Sequence, residues 1–168
     1  MKKIYTTKKI VIMAVFISVG IVIQYAESRI LISQLPGGKL GLANVVSIIN
    51  IYMFGGHNAL LIATLRATLT SLLVGGAAAL PYSVAGAFFS TIAMWMIKKY
   101  FYPVVSIIGI SIVGASVHNV VQLLVAFLQY GSIFVFSYLP GLLVISLFSG
   151  FVTGYTAKVF AQRVLKER

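Results

Sequence analysis

Leu35-Pro36-Gly37-Gly38-Lys39-Leu40-Gly41-Leu42-Ala43-Asn44-Val45-Val46 is the stretch that decides how this chain folds. Pro36 and three glycines break helical periodicity, Lys39 adds an ammonium, and Asn44 leads back into an apolar run. Long apolar segments lie on both sides, and Glu27 comes shortly before. We read the stretch as a loop at a bilayer boundary, folded over a ligand cavity whose walls the rest of the chain supplies. Gly37, Gly38 and Gly41 let the backbone approach a ligand or turn with positive φ. The plainer alternative is an exposed loop with a solvated Lys39.

The composition around it is that of a membrane protein. Hydrophobic residues make up 60% of the 168 residues, charged residues 9%, and mean hydropathy is +1.04. Soluble domains carry about 25% charged residues. At roughly 20 residues per crossing, the length allows a handful of helices and no soluble domain. The expected fold is therefore all-α: one polytopic transmembrane domain, 1–168, with six transmembrane helices at about 10–30, 42–54, 59–74, 81–97, 105–128 and 136–160. The first span follows Lys2, Lys3, Lys8 and Lys9 and has no small-residue cleavage site, so it reads as retained. Gly55-Gly56-His57-Asn58 reads as a tight turn, Gly75-Gly76 as the close of the third span, and Pro81 as the start of the fourth.

The charges set an orientation. Net charge is +11. With an even number of spans, Lys2, Lys3, Lys8, Lys9, Lys98, Lys99, Lys158, Arg163, Lys166 and Arg168 share one side, and Arg29 and Lys39 face the other. The positive-inside rule makes the first side cytoplasmic, with both termini there and the central loop outside the plasma membrane. Basic charge of this kind reports membrane orientation and implies no nucleic-acid partner.

What is missing excludes functions. Glu27 and Glu167 are the acidic residues, and there is no Cys. A magnesium–diphosphate site needs clustered carboxylates. General acid–base catalysis by a carboxylate pair, disulfides and thiolate metal sites also fall away. His57 and His118 alone do not close a metal site. No catalytic residue, metal or cofactor is expected.

Binding residues are another matter. Arg66 lies about nine residues into the membrane, roughly 13 Å deep at 1.5 Å per residue. A guanidinium there costs about 2.5 kcal/mol or more and marks a functional position unless it is paired. Glu27 is the one carboxylate on that side, against Arg29, Lys39 and Arg66. Arg66 therefore either binds a ligand or pairs with Glu27, and Glu27 could instead hold Lys39. His118, Asn119 and Gln122 fall within about one turn of an apolar helix, so they form either a pocket wall or interhelical glue. Lys39 and Asn44 complete the set of substrate-binding candidates. Ala14 and Ser18 are spaced for close helix approach, either within the chain or as a docking face for a partner. Ser146, Gly150 and Gly154 form a second close-packing face.

Pro36-Gly37-Gly38-Lys39-Leu40-Gly41-Leu42-Ala43-Asn44, Arg66, and Gly114-Ala115-Ser116-Val117-His118-Asn119-Val120-Val121-Gln122 together resemble the Gx transporter family, also labelled heptaprenyl diphosphate synthase component I. That family is similar to the substrate-binding S components of energy-coupling factor (ECF) transporters. The resemblance implies a six-helix bundle that captures a vitamin-like, isoprenoid or quinone precursor from outside. It also implies partners: lipid, a coupling transmembrane subunit and two cytoplasmic ATPases. The chain contains no phosphate-binding loop and no Asp, so energy would come from those ATPases. The alternative is a non-catalytic membrane subunit that recruits or assists an isoprenoid enzyme.

Overall fold

The computed structural model describes residues 7–30 and 41–166; Lys39 and the rest of 31–40 lie outside them. Six α-helices follow one another: α1 (Thr7–Ile30), α2 (Asn44–Phe54), α3 (Gly56–Thr70), α4 (Gly76–Phe101), α5 (Ile107–Tyr130) and α6 (Leu139–Lys166). A π-helical turn, Ser71–Gly75, joins α3 to α4, and a 3₁₀ turn, Ile133–Tyr138, precedes α6. No strand occurs among the described residues.

Among the described residues, four helical stretches are long and apolar enough to cross a membrane: Thr7–Arg29, Gly56–Phe101, Ile107–Tyr130 and Ile133–Arg163. The second is a hairpin, not a rod, because α3 and α4 pack on each other. The reversal occurs at Gly76, whose φ of 69° is open to glycine and strained for other residues. This corrects the expected boundary. The fourth helix begins at Gly76 and Pro81 lies inside it, not at its start. Likewise α3 begins at Gly56, so the turn before it is shorter than the expected four residues.

The helices are antiparallel neighbours with two distinct ends. At one end Phe16 meets Phe54 and Phe160, His57 meets Trp95, and Lys9 lies over the Phe54 ring. There Lys98 Nζ donates to the Ile51 carbonyl at 2.9 Å, a cation at the C-terminus of α2 where the helix dipole favours it. Lys8, Lys9, Lys98, Lys99, Lys158 and Arg163 all belong to this end. The opposite end collects the C-terminal part of α1, the start of α2, and the inner faces of α3, α4 and α5.

Polarity is reversed relative to a water-soluble bundle. Val11, Val22, Leu73, Phe148 and Phe151 are exposed, whereas Arg66, Asn44, Asn50, Asn119 and Gln122 are buried. Lipid solvates the first set; the second needs partners inside. The central helix is α2, buried continuously from Asn44 to Ile51. The closest packing is between α5 and α6. There Gly150 lies against Ile112, and a Cβ would come within 2.5 Å of the Ile112 Cα. Gly154 lies likewise against Ile108, where a Cβ would come within 2.7 Å of the Cα. The small-residue face of the last helix is thus used inside the bundle.

A candidate anion site at the end of the bundle away from the lysines

Glu27 and Arg66 anchor a closed polar cluster. Glu27, on the last turns of α1, is 5% exposed. Its Oε1 accepts the Gly41 N–H at 2.7 Å and its Oε2 accepts the Leu42 N–H at 3.2 Å. These amides open the turn that leads into α2, where Asn44 N–H donates to the Gly41 carbonyl at 2.9 Å. A carboxylate at a helix N-terminus is electrostatically favourable. Glu27 therefore ties α1 to the point where the central loop re-enters the bundle.

Arg66 projects from α3 and is 2% exposed. Its hydrogen bond runs to Gln24: Nη1 donates to Oε1 at 2.6 Å. Glu27 acts on it through charge. The Arg66 stem passes over Gly20, where any Cβ would overlap Arg66 Cδ. Arg66 Nε is buried and has no hydrogen-bond partner among the described residues.

The other walls come from α2, α4 and α5. Gln24, Glu27, Asn44, Arg66, Ser83 and His118 line one cavity together with Gly41 and Ala43. The His118 imidazole rests on Gly86 of α4, where a Cβ would come within 2.9 Å of Cε1. Asn44 Nδ2 is buried with no hydrogen-bond partner among the described residues. The cavity is about 10 Å³, whereas drug-sized ligands occupy roughly 300–1,000 Å³. The conformation described is closed.

Of the residues expected from sequence, Glu27, Asn44, Arg66 and His118 converge here. Asn119 turns to α6, its Nδ2 donating to Ser146 Oγ at 2.8 Å and to the Leu142 carbonyl at 3.2 Å. Gln122 is fully buried one turn beyond His118, and neither of its amide atoms has a hydrogen-bond partner among the described residues. Neither lines the closed cavity. Lys39 lies outside the described residues. Gln24 and Ser83 are additions; the spacing Gly20, Gln24, Glu27 on one helical face was the available signal for the first. Ala14 and Ser18 are exposed on α1, away from this cluster.

A larger cleft, about 790 Å³, opens at the lysine-rich end beside Tyr52, Tyr102, Ser106, Lys158 and Gln162. It is wide and open, and none of the expected binding residues that are described lines it. Size alone is a poorer guide than a buried guanidinium with an unused donor. Among the described residues no three His, Asp or Glu side chains gather as metal ligands.

Comparison with known proteins bears on the whole chain. No curated protein and no solved structure is similar to it. A family model described as heptaprenyl diphosphate synthase component I matches residues 16–160. That span takes in α2 to α5, most of α1 and α6, and every residue of the cluster around Arg66, and on it the chain belongs to the heptaprenyl diphosphate synthase component I family.

Proposed function

We propose that this chain is the substrate-capture component of an ECF-type ATP-driven importer in the plasma membrane. It takes up a small, mostly apolar molecule bearing one anionic group, of vitamin-like, isoprenoid or quinone-precursor type. The observation that carries this reading is Arg66: a buried guanidinium whose hydrogen-bond partner is a neutral amide and whose Nε is unused. A guanidinium presents paired donors that suit a carboxylate or phosphate, which an ammonium cannot reproduce. Asn44 and His118 line the same cavity, Lys39 would close over it from the loop, and Asn119 Oδ1 and the Gln122 amide would take polar atoms of a ligand seated deeper. Glu27 holds the start of α2, so access involves parting α1 from that turn.

In this reading all six helices cross the bilayer, the short α2 lying beside the cavity, where irregular backbone is tolerated. The lysine-rich end and both termini are cytoplasmic, and the Arg66 cluster faces outward. The chain is not itself an enzyme. Ala14 and Ser18 on the outer face of α1 dock a coupling membrane subunit, which two cytoplasmic ATPases drive. The family description favours a second reading, a non-catalytic membrane subunit that assists a prenyl diphosphate enzyme. Its weakness is that the described part of the lysine-rich end consists of short connections and helix ends, whereas the buried polar residues gather at the other end.

The test is native mass spectrometry of the purified protein to identify the retained molecule, followed by its affinity for Arg66→Lys. The expected result is an anionic ligand and a folded variant that binds about tenfold to a hundredfold more weakly, or roughly 1.4–3 kcal/mol. A cationic ligand, or unchanged affinity, refutes this reading.

A further inference from the structure

We propose that Gln24 is the specificity-determining partner of Arg66: its neutral amide fixes the guanidinium without cancelling its charge, and so selects for an anionic ligand. This rests on the anion-binding reading above and adds the residue that enforces it. Gln24 and Arg66 are 8% and 2% exposed, so their 2.6 Å hydrogen bond is shielded from water. A carboxylate at this position would form a buried ion pair and compete directly with an incoming anion. An amide accepts the same hydrogen bond and carries no charge.

The atoms used matter as much as the charge. Gln24 occupies Nη1, on the Cδ side of the guanidinium. This leaves the edge formed by Nε and Nη2, the edge that meets two oxygens of a carboxylate or phosphate side by side. Nε on that edge has no hydrogen-bond partner among the described residues. The bond to Gln24 thus orients the fork and reserves one edge.

The surrounding charges fit. Glu27 is the carboxylate whose field reaches Arg66. Both its oxygens accept amides at the start of α2, whose partial positive charge offsets part of that field. The other charged or titratable side chain lining the cavity is His118. Gly20, Gln24 and Glu27 recur on one face of α1, so a single helix supplies room for the Arg66 stem, its neutral acceptor and the clasp on α2.

The test uses the full chain in detergent and three probes that share one apolar tail: farnesoate, farnesol and farnesylamine. Wild type should bind farnesoate most tightly and farnesylamine least. Gln24→Glu preserves shape and adds the charge. It should weaken farnesoate at least tenfold, bring farnesylamine level with it or above it, and leave thermal stability equal or higher. A merely structural role for Gln24 would not reverse the order of head-group preference. Gln24→Met removes the acceptor without adding charge; it should weaken farnesoate about fivefold while keeping the order. If wild type prefers farnesoate and folded Gln24→Glu keeps that preference undiminished, this inference is overturned and the anion site stands. Should Gln24→Glu fail to fold, undiminished farnesoate affinity in Gln24→Met overturns it instead. If wild type shows no binding of farnesoate or no preference for it, the anion reading itself fails, and this inference with it.

Discussion

α1 and α5 are both 24 residues long, and both are apolar enough to cross a bilayer. Yet half of the most apolar stretch of α5 is buried in the protein, against 22% of that of α1. The difference is written in side-chain size and polarity. α5 turns inward Ser111, Gly114, Ala115, His118, Asn119 and Gln122, which are small or demand partners. α1 is a run of Val and Ile, with Val11, Val15, Val19 and Val22 exposed. In lipid, apolar bulk gives no reason to be inside; close backbone approach and hydrogen bonding do. So α5 is the spine of the bundle. α1 is a peripheral helix that leans mainly on α3 and reaches the centre through Gln24 and Glu27.

The sharpest way to break this comparison is to attack the spine. Gly150→Val places two methyl groups where a Cβ alone would sit 2.5 Å from the Ile112 Cα. The obstacle is backbone, so α5 and α6 have to separate. Overpacking costs typically 1–3 kcal/mol, and we expect a loss of about 3 kcal/mol, read as a lower unfolding midpoint in detergent. A valine placed at Val19 of α1 is already tolerated, because that position faces outward. An unchanged midpoint for Gly150→Val would mean that the α5–α6 contact is not the foundation of the fold.

A smaller effect is expected from the polar contact beside it. Asn119→Leu removes the bonds to Ser146 and Leu142 but leaves Ser146 Oγ donating to the Leu142 carbonyl at 2.7 Å. Interhelical hydrogen bonds in membranes average about 0.6 kcal/mol and reach about 1.7. Destabilisation of about 1 kcal/mol, measured in the same unfolding assay, would mark Asn119 as glue between α5 and α6. A loss several times larger would mean that the side chain organises more than this contact.

These cases show what the sequence could and could not reveal. Arg66, Glu27, Asn44 and His118 were legible because each is a rare polar residue in an apolar run, and hydrocarbon makes such residues seek one another. Asn119 could not be placed, since a neighbour on a helix is rotated about 100° away and only the packing of α6 fixes which residue faces where. Gln24 was missed because it sits near a helix end, where water can satisfy an amide and no partner is required. Pro81 misled, whereas Gly75-Gly76 does mark the close of the third helix. The chain does reverse at Gly76, but α4 starts there and runs on through Pro81, which falls in its second turn, where a missing N–H costs little. The small residues of α6 promised close packing, and α5 supplies it.

The mildest expected effect on the isolated chain belongs to the outer face of α1. Ala14→Trp adds a large side chain at an exposed position. Ser18 Oγ donates to the Ala14 carbonyl at 3.1 Å, so the neighbouring polar group is satisfied within the helix and gains nothing from a partner. Stability should therefore change by no more than about 0.5 kcal/mol, and retention of the ligand by the purified chain should be unchanged. In the importer reading, however, Ala14 and Ser18 are where a helix of the coupling subunit approaches, and a Trp there keeps the two backbones apart. Co-purification with that subunit should fall to background for Ala14→Trp and remain for Val22→Trp, a substitution on a more distant turn whose side chain is also exposed. If both variants assemble like wild type, the face is a lipid contact and α1 serves only the site. If both lose assembly, the docking surface extends along the whole exposed side of α1. The comparison with α5 would then sharpen: one helix holds the bundle together, and its equal in length connects the bundle to its partner.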